Sequence, residues 1–289
     1  MSIIEALILG LIQGLTEFLP VSSSGHLEIF KQVLGLEFNG SSGLSVDIVV
    51  HAGSALAIMI FFIREFFFKK STQNGSKGSG FVGIFSFSFI GAAVIATLPA
   101  LIAYKLFKDQ IEGAFEGNLT IVAVCLAITG VFLIFIDFVS RKTGNVQKND
   151  DGEILPFTRL SFKDSMKPWL QALIIGVFQA FALMPGISRS GSTIGAGILL
   201  KINREQVVKF SFMLGFIAIM GAVVLKAKDL TILAGEVSFG SLSVLFLASL
   251  ISSFFALQLI LFVVRVQKLR YFGIYCLLVA IISAIYLAV

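Results

Sequence analysis

"QGLTEFLPVSSSGH", Gln13 to His26, begins as an apolar helix and then sets a glutamate, a proline, three serines, a glycine and a histidine close together. The surrounding chain makes that costly. Of 289 residues, 57% are hydrophobic and only 13% charged, with 30 phenylalanines, against roughly 25% charged in an ordinary soluble domain. Runs such as "SALAIMIFFIREFFF" and "IVAVCLAITGVFLIFI" approach the ~20 residues that cross a bilayer, so the chain reads as an integral membrane protein. A Pro-Ser-Gly turn between such runs cannot face lipid, where each unpaired amide costs several kcal/mol. It has to lie inside protein or line a wet cavity.

Six segments read as full helical spans, at about 47–68, 81–106, 118–139, 207–226, 240–264 and 271–289. Two shorter apolar stretches, 2–19 and 168–184, run into Pro and then a Ser/Gly cluster, and weaker apolar segments follow at 27–36 and 193–202. Each such pair reads as a re-entrant hairpin. The two also resemble one another. "GLIQGLTEFLPVSSSG" (Gly10 to Gly25) and "GVFQAFALMPGISRSG" (Gly176 to Gly191) share a Gly, a Gln three residues on, a Pro and a Ser-x-Ser-Gly ending, with twelve residues from Gln to final Gly in both. One hairpin and three spans per half force the second copy to be inverted in the membrane. The expected fold is therefore an all-α polytopic membrane protein with six transmembrane helices plus two re-entrant helical hairpins in an inverted repeat. It forms a single domain over 1–289, with halves at about 1–140 and 165–289 joined by a cytoplasmic loop at about 141–166.

Net charge is +5, but Lys and Arg sit in loops beside the spans, so the charge reads as membrane orientation rather than nucleic-acid binding. On the side of Met1 this layout places five basic residues, Lys31, Lys105, Lys108, Lys226 and Lys228, and on the other side sixteen. The richer side is the cytoplasm. Both termini and the mouth of the first hairpin are then expected outside, with the second hairpin entering from the cytoplasm. Met1 to Leu19 lacks a basic leader and a small-residue cleavage site and is expected to stay in the chain. Cys125 and Cys276 fall within apolar segments and read as small buried side chains. "QNGSKGSG" at 73–80 and "QKNDDGE" at 147–153 read as loops.

One basic residue falls on neither side. Arg189 lies in the second hairpin tip, and an intramembrane Arg is by default functional and needs a partner. The candidate is Glu17, four residues after Gln13 and on the same helical face. The first tip adds Ser22, Ser23, Ser24, Gly25 and His26; the second adds Ser188, Ser190, Gly191, Ser192 and Thr193. Hydroxyls, a carboxylate, an imidazole, a guanidinium and glycines that let backbone amides approach an anion suit a phosphate or diphosphate. Blander readings exist for each part. The serines could be close-packing residues, Glu17 and Arg189 an inert buried pair, and His26 a structural histidine. His51, at the start of a span in "VVHAGSALAI", reads as an interfacial hydrogen-bonding residue at least as well as a catalytic one, and Asp47 as a solvated end charge.

Gln13 to His26 is similar to a Glu/Gln-x-x-x-Glu plus Pro-x-Ser-Ser-Ser/Thr-Gly-His signature, and "PGISRSGST" (Pro185 to Thr193) to a Pro-Gly-x-Ser-Arg-Ser-Gly signature. Together they resemble the undecaprenyl-diphosphate phosphatases linked to bacitracin resistance, as do the "HAGSALAI" run and the six-span layout. Gln13 stands where some members have Glu, which leaves Glu17 as the single carboxylate of that motif and weakens a two-carboxylate metal site. The resemblance implies removal of the terminal phosphate of undecaprenyl diphosphate at the outer face of a bacterial plasma membrane, recycling the peptidoglycan carrier. It implies Glu17, Ser23, His26 and Arg189 as catalytic residues. Gln13, Ser22, Ser24, Gly25, Ser188, Ser190, Gly191 and Thr193 are then substrate-binding, and Glu17 holds a divalent cation, Mg2+ or Ca2+. Arg189 can clamp phosphate oxygens bidentately. Ser23, or Ser24, activated by His26 would give a phosphoserine route, and direct attack by His26 a phosphohistidine route. A homodimer is left open.

Three other classes fit the residues less well. Type-2 phosphatidic acid phosphatases share a Ser-Gly-His element but need a second histidine after their Ser-Arg motif, and the only histidines here, His26 and His51, precede Arg189. A polyprenyl-phosphate flippase or transporter would use the inverted repeat but needs no nucleophile and base. A membrane scaffold explains neither Arg189 nor the duplicated tips.

Overall fold

The computed structural model describes residues 1–36, 41–68, 87–114, 118–142, 167–226, 237–265 and 268–288. Among these, all regular structure is α-helical: a first hairpin of α1 (Ile3–Phe18) and α2 (Ser23–Val33), then α3 (Ser41–Phe68), α4 (Phe87–Leu106), a short α5 (Lys108–Ala114) and α6 (Leu119–Lys142). The second hairpin is α7 (Pro168–Phe181) and α8 (Arg189–Leu199), followed by α9 (Arg204–Lys226), α10 (Phe239–Arg265) and α11 (Leu269–Ala288). Six of them, α3, α4, α6, α9, α10 and α11, are long and apolar enough to cross a membrane, and they coincide with the six expected spans. The chain is a multi-pass membrane protein. The 73–80 and 147–153 stretches, and the loop at 141–166 beyond Lys142, lie outside the described residues. The short α5 was not foreseen; its apolar anchors Ile111 and Ala114 are buried but make too brief a pattern to register as a period.

Local chemistry sets the hairpin limits. Ser2 and Glu5 close a capping box at the start of α1, satisfying two amides that have no intrahelical acceptor. Pro168 occupies the first turn of α7, where its missing N–H removes nothing. The burial pattern departs from that of a soluble domain in its apolar exterior and in the polar residues set within an apolar core. Phe181, Phe239, Phe255 and Ile282 point outward, whereas Gln13, Glu17, His26, Ser54, Gln171, Ser249 and Ser253 are buried. An apolar exterior, with polar and charged side chains kept inside the protein, is the arrangement a lipid solvent demands.

Each half also packs on the other in a reciprocal pattern. α1 lies against α10 and its sequence counterpart α7 against α4; α6 crosses α11. At that crossing Gly130 and Gly273 face each other so closely that a methyl on either would approach the other's carbonyl to 2.7 Å. Along α1, Ser241 Oγ donates to the carbonyl of Met1 at 3.1 Å and Ser252 Oγ to that of Gly10 at 3.3 Å, so α1 and α10 run side by side in the same direction. The consequence is depth. The end of α1 lies partway along α10, not at its end, and the second tip meets Thr129 near the middle of α6. Both polar turns therefore sit at mid-length of the long helices.

Candidate active site

The two turns touch. Gly25 lies so close to Gly186 that a methyl on it would come within 3.0 Å of the Gly186 Cα, and Ser190 Oγ donates to the Leu19 carbonyl at 2.9 Å. Their helix caps match. Ser22 caps α2 by accepting from the Gly25 amide at 3.3 Å, and Ser188 caps α8 by accepting from the Gly191 amide at 3.0 Å. Ser22 and Ser24 share a hydroxyl contact at 3.3 Å, as Ser188 and Ser190 do at 3.2 Å. Ser23 and Arg189 occupy the same place, the first residue of their helices. Two helix N-termini, with first-turn amides lacking intrahelical acceptors and their positive dipole ends, thus converge on one spot.

Glu17 is the centre of that spot. One of its oxygens, Oε1, pairs with Arg189 Nη2 across the two hairpins. The other, Oε2, accepts from Ser23 Oγ at 2.5 Å and from Gln13 Nε2 at 2.8 Å. Glu17 and Gln13 are buried, and Gln13 Oε1 is a buried oxygen without a hydrogen-bond partner among the described residues. The Arg189 guanidinium lies against Gly215 of α9, where any side chain would collide with it: an added methyl would sit 2.0 Å from Nη1. The carboxylate, the hydroxyl and the guanidinium expected from the sequence are therefore one hydrogen-bonded unit.

The expected Ser23–His26 pair does not form. His26 is buried, and both its ring nitrogens are engaged elsewhere: Nδ1 with the Ser22 carbonyl at 2.7 Å and Nε2 with Tyr275 Oη of α11 at 2.8 Å. A carbonyl only accepts, so Nδ1 carries the proton and Nε2 accepts from the phenol. The histidine that does approach the carboxylate is His51, whose Nε2 lies 3.9 Å from Glu17 Oε2 while Nδ1 donates to the Asp47 carbonyl at 2.7 Å. Sequence patterning offered no spacing that could place it there. Asp47, expected as a free end charge, pairs with Lys31 of α2 at 3.1 Å.

The remaining site residues mostly build the frame. Thr193 donates to the Arg189 carbonyl at 2.9 Å and meets Ser211 Oγ of α9 at 2.7 Å, which braces α8 rather than facing Glu17. Thr129 of α6, unforeseen, donates to the Gly186 carbonyl at 3.0 Å and accepts from the Ser188 amide at 3.1 Å. One hydroxyl thus pins both sides of Ile187. For a divalent cation, no group of three or more His, Cys, Asp or Glu side chains exists among the described residues. The partnerless Gln13 Oε1 and the Glu17 carboxylate are hard oxygen donors, which fits Mg2+ or Ca2+ completed by waters and phosphate, not a site caged by protein.

The comparisons with known proteins cover nearly the whole chain. An undecaprenyl-diphosphatase of Methanobrevibacter smithii is 36% identical over 292 residues, 98% of this chain and 96% of its own. Undecaprenyl-diphosphatase 1 of Shouchella clausii is 35% identical over 298 residues, covering 99% and 97%, and an undecaprenyl-diphosphatase of Bacteroides fragilis is 35% identical over 290, covering 97% of each. The family model of the bacitracin resistance protein BacA matches residues 6–282, and the chain belongs to that family.

Proposed function

We propose that the protein hydrolyses undecaprenyl diphosphate to undecaprenyl phosphate and inorganic phosphate, with Ser23 as nucleophile and Glu17 as its base. The observation that carries this is the 2.5 Å hydrogen bond from Ser23 Oγ to Glu17 Oε2, a contact within the reach a general base requires. As the Oγ–P bond forms and the bridging P–O bond breaks, Glu17 takes the hydroxyl proton and passes it to the departing lipid phosphate. Water then cleaves the phosphoserine, its proton taken by the same carboxylate, and Ser23 is restored. Arg189 has five N–H donors, and its bond to Glu17 uses Nη2. Its other donors and the first-turn amides of α2 and α8 are in place to hold the phosphoryl oxygens where charge develops.

Charge balance supports a cation as well. Glu17 and Arg189 cancel, so a diphosphate entering this site brings unneutralised negative charge into a buried setting. Glu17 and Gln13 would hold the ion, whose chemistry is to neutralise and bridge phosphate oxygens. A carrier of lipid phosphate would need counter-charges but not a serine bonded to a carboxylate.

The proposal extends to placement. The reciprocal packing of the halves and the mid-length position of both tips support an inverted repeat with two re-entrant hairpins, about 1–140 and 165–289. The basic-residue bias supports a cytoplasmic membrane location with both termini and the Glu17 side facing outward. The test is phosphate release from a C15 or C55 diphosphate by the purified protein, with and without chelator. Turnover with an acid-stable phosphoenzyme, absent in Ser23→Ala, is expected; turnover through an acid-labile phosphoenzyme, or full activity in Ser23→Ala, overturns the assignment.

A further inference from the structure

The catalytic reading above leaves His26 without a proton to take, because Ser23 is bonded to Glu17 and both imidazole nitrogens have other partners. Those partners define a different role. Ser22 is one of two non-glycine residues among those described with positive φ, at φ 68° and ψ 97°, a conformation that a residue with a Cβ adopts only when its surroundings impose it. Its carbonyl receives two bonds from the same residue: the His26 amide at 3.2 Å and His26 Nδ1 at 2.7 Å. The orientation of that carbonyl fixes the Ser22–Ser23 peptide plane and hence the direction in which the Ser23 side chain leaves the backbone.

The imidazole is held in turn. Tyr275 Oη donates to Nε2 at 2.8 Å, and the two rings lie parallel within 5°, with centroids 5.5 Å apart. A donor on Nε2 keeps the proton on Nδ1, the tautomer the Ser22 carbonyl requires. The adjacent Cys276 Sγ lies 3.8 Å from the Pro20 carbonyl of the same turn, so α11 grips the first tip at consecutive residues. The second tip is built differently: Ser192 stands at the position of His26, Ser188 at that of Ser22 has an ordinary φ of −72°, and the positive φ falls two residues earlier, at Gly186, at 95°, where glycine needs no support.

We propose that His26 and Tyr275 form a positioning relay, phenol to imidazole to the Ser22 carbonyl, that holds the strained turn aiming Ser23 at the carboxylate and the phosphorus. Tyr275 is thereby a positioning residue contributed by the last helix, and His26 acts through backbone geometry. The inference rests on the Ser23 nucleophile reading, and the following measurements separate the two.

Asn places its amide nitrogen where His26 has Nδ1, and Gln places it nearer Nε2. His26→Asn should therefore retain turnover within about tenfold of the parent, while His26→Gln and His26→Ala fall about a hundredfold or more, with KM for the lipid diphosphate little changed in all three. Tyr275→Phe keeps the stacked ring and loses the hydroxyl, and should lower kcat about tenfold, the scale of one hydrogen bond. In the His26→Asn background the same tyrosine change should add nothing, since the group it serves is gone. Turnover is counted per monodisperse protein, so a variant that folds poorly is not mistaken for one that aims poorly. His26→Asn as inactive as His26→Ala, or Tyr275→Phe at parental kcat, overturns the relay while leaving the nucleophile reading intact. A parent that turns over normally as Ser23→Ala overturns both.

Discussion

The two hairpin tips share a frame and differ in chemistry. Each has a Pro-initiated turn, a serine N-cap, a paired hydroxyl two residues on and a glycine accepted by the cap. At the first helical position one carries Ser23 and the other Arg189, and four residues beyond the matched glutamines Gln13 and Gln179 one carries Glu17 and the other Leu183. The second tip thus has no carboxylate of its own, and its cation crosses the interface to the first. Two matched helix N-termini thus point at one spot, and at the matched positions one tip carries the serine and carboxylate of the proposed reactive half and the other the arginine of the proposed electrostatic half.

Removing the reactive half's base should have the largest effect. Glu17→Gln keeps the shape and turns its amide oxygen to Arg189 but cannot take the Ser23 proton, so phosphate release should fall ~100- to 10,000-fold. Expression should persist, because the amide still bonds across to Arg189. Unchanged turnover would mean that the carboxylate only pairs with the arginine.

Next in size is the electrostatic half. Lysine retains charge but not the planar fork, and charge-assisted hydrogen bonds are worth ~1.5–3 kcal/mol each, so Arg189→Lys should lose roughly 10- to 10,000-fold in kcat/KM for one or two contacts. The thermal midpoint should barely move. An inert ion pair makes the opposite forecast, with near-normal hydrolysis in Arg189→Lys and a collapsed midpoint in Arg189→Ala, where Glu17 is left buried and unpaired. Measuring midpoint and phosphate release on both variants decides between them.

A smaller change tests the bed on which the guanidinium lies. Gly215→Ala puts a methyl 2.0 Å from Arg189 Nη1, and the arginine, being long, can swing aside at little cost in stability. Its grip on phosphate should suffer, with kcat/KM reduced ~10-fold. Full activity would show that the guanidinium does not work from that position.

Smallest of all is the backbone contrast between the tips. Ser22→Gly removes the left-handed penalty of ~1–2 kcal/mol and exchanges the serine cap for glycine at a few tenths, so the thermal midpoint should hold or rise slightly. Gly186→Ala does the reverse, adding a β-carbon at φ 95° and 2.6 Å from the Val122 carbonyl, and the midpoint should drop. Equal responses would mean that the two turns bear no unequal strain.

Much of this was legible in one dimension because lipid leaves few choices. A long apolar run has to be a helix that satisfies its own amides, so the six spans could be read directly, and a Pro-Ser-Gly turn that lipid cannot accommodate marks itself as interior. Arg189 and Glu17 declared themselves for the same reason: a charge at that depth needs its opposite. The matched spacing of the two tips likewise survives in the letters, because a cap and a turn are set by residues three apart.

What the letters could not carry is which neighbour each polar side chain chooses. His26, three residues after Ser23, was the natural base for it by proximity in sequence. In the fold, Tyr275, 249 residues away, takes its Nε2, and Glu17, reaching over the turn, takes the serine. His51 and Gly215 gained their places beside Glu17 and Arg189 only because α3 and α9 pack against the hairpins. Hydrogen bonds are short and directional, so an ångström of tertiary placement decides partners that spacing along the chain leaves equal. Composition and periodicity determined the membrane, the spans, the two similar tips and the candidate polar residues on them; only the packing of the two halves decided which oxygen the Ser23 hydroxyl meets and which ring meets His26.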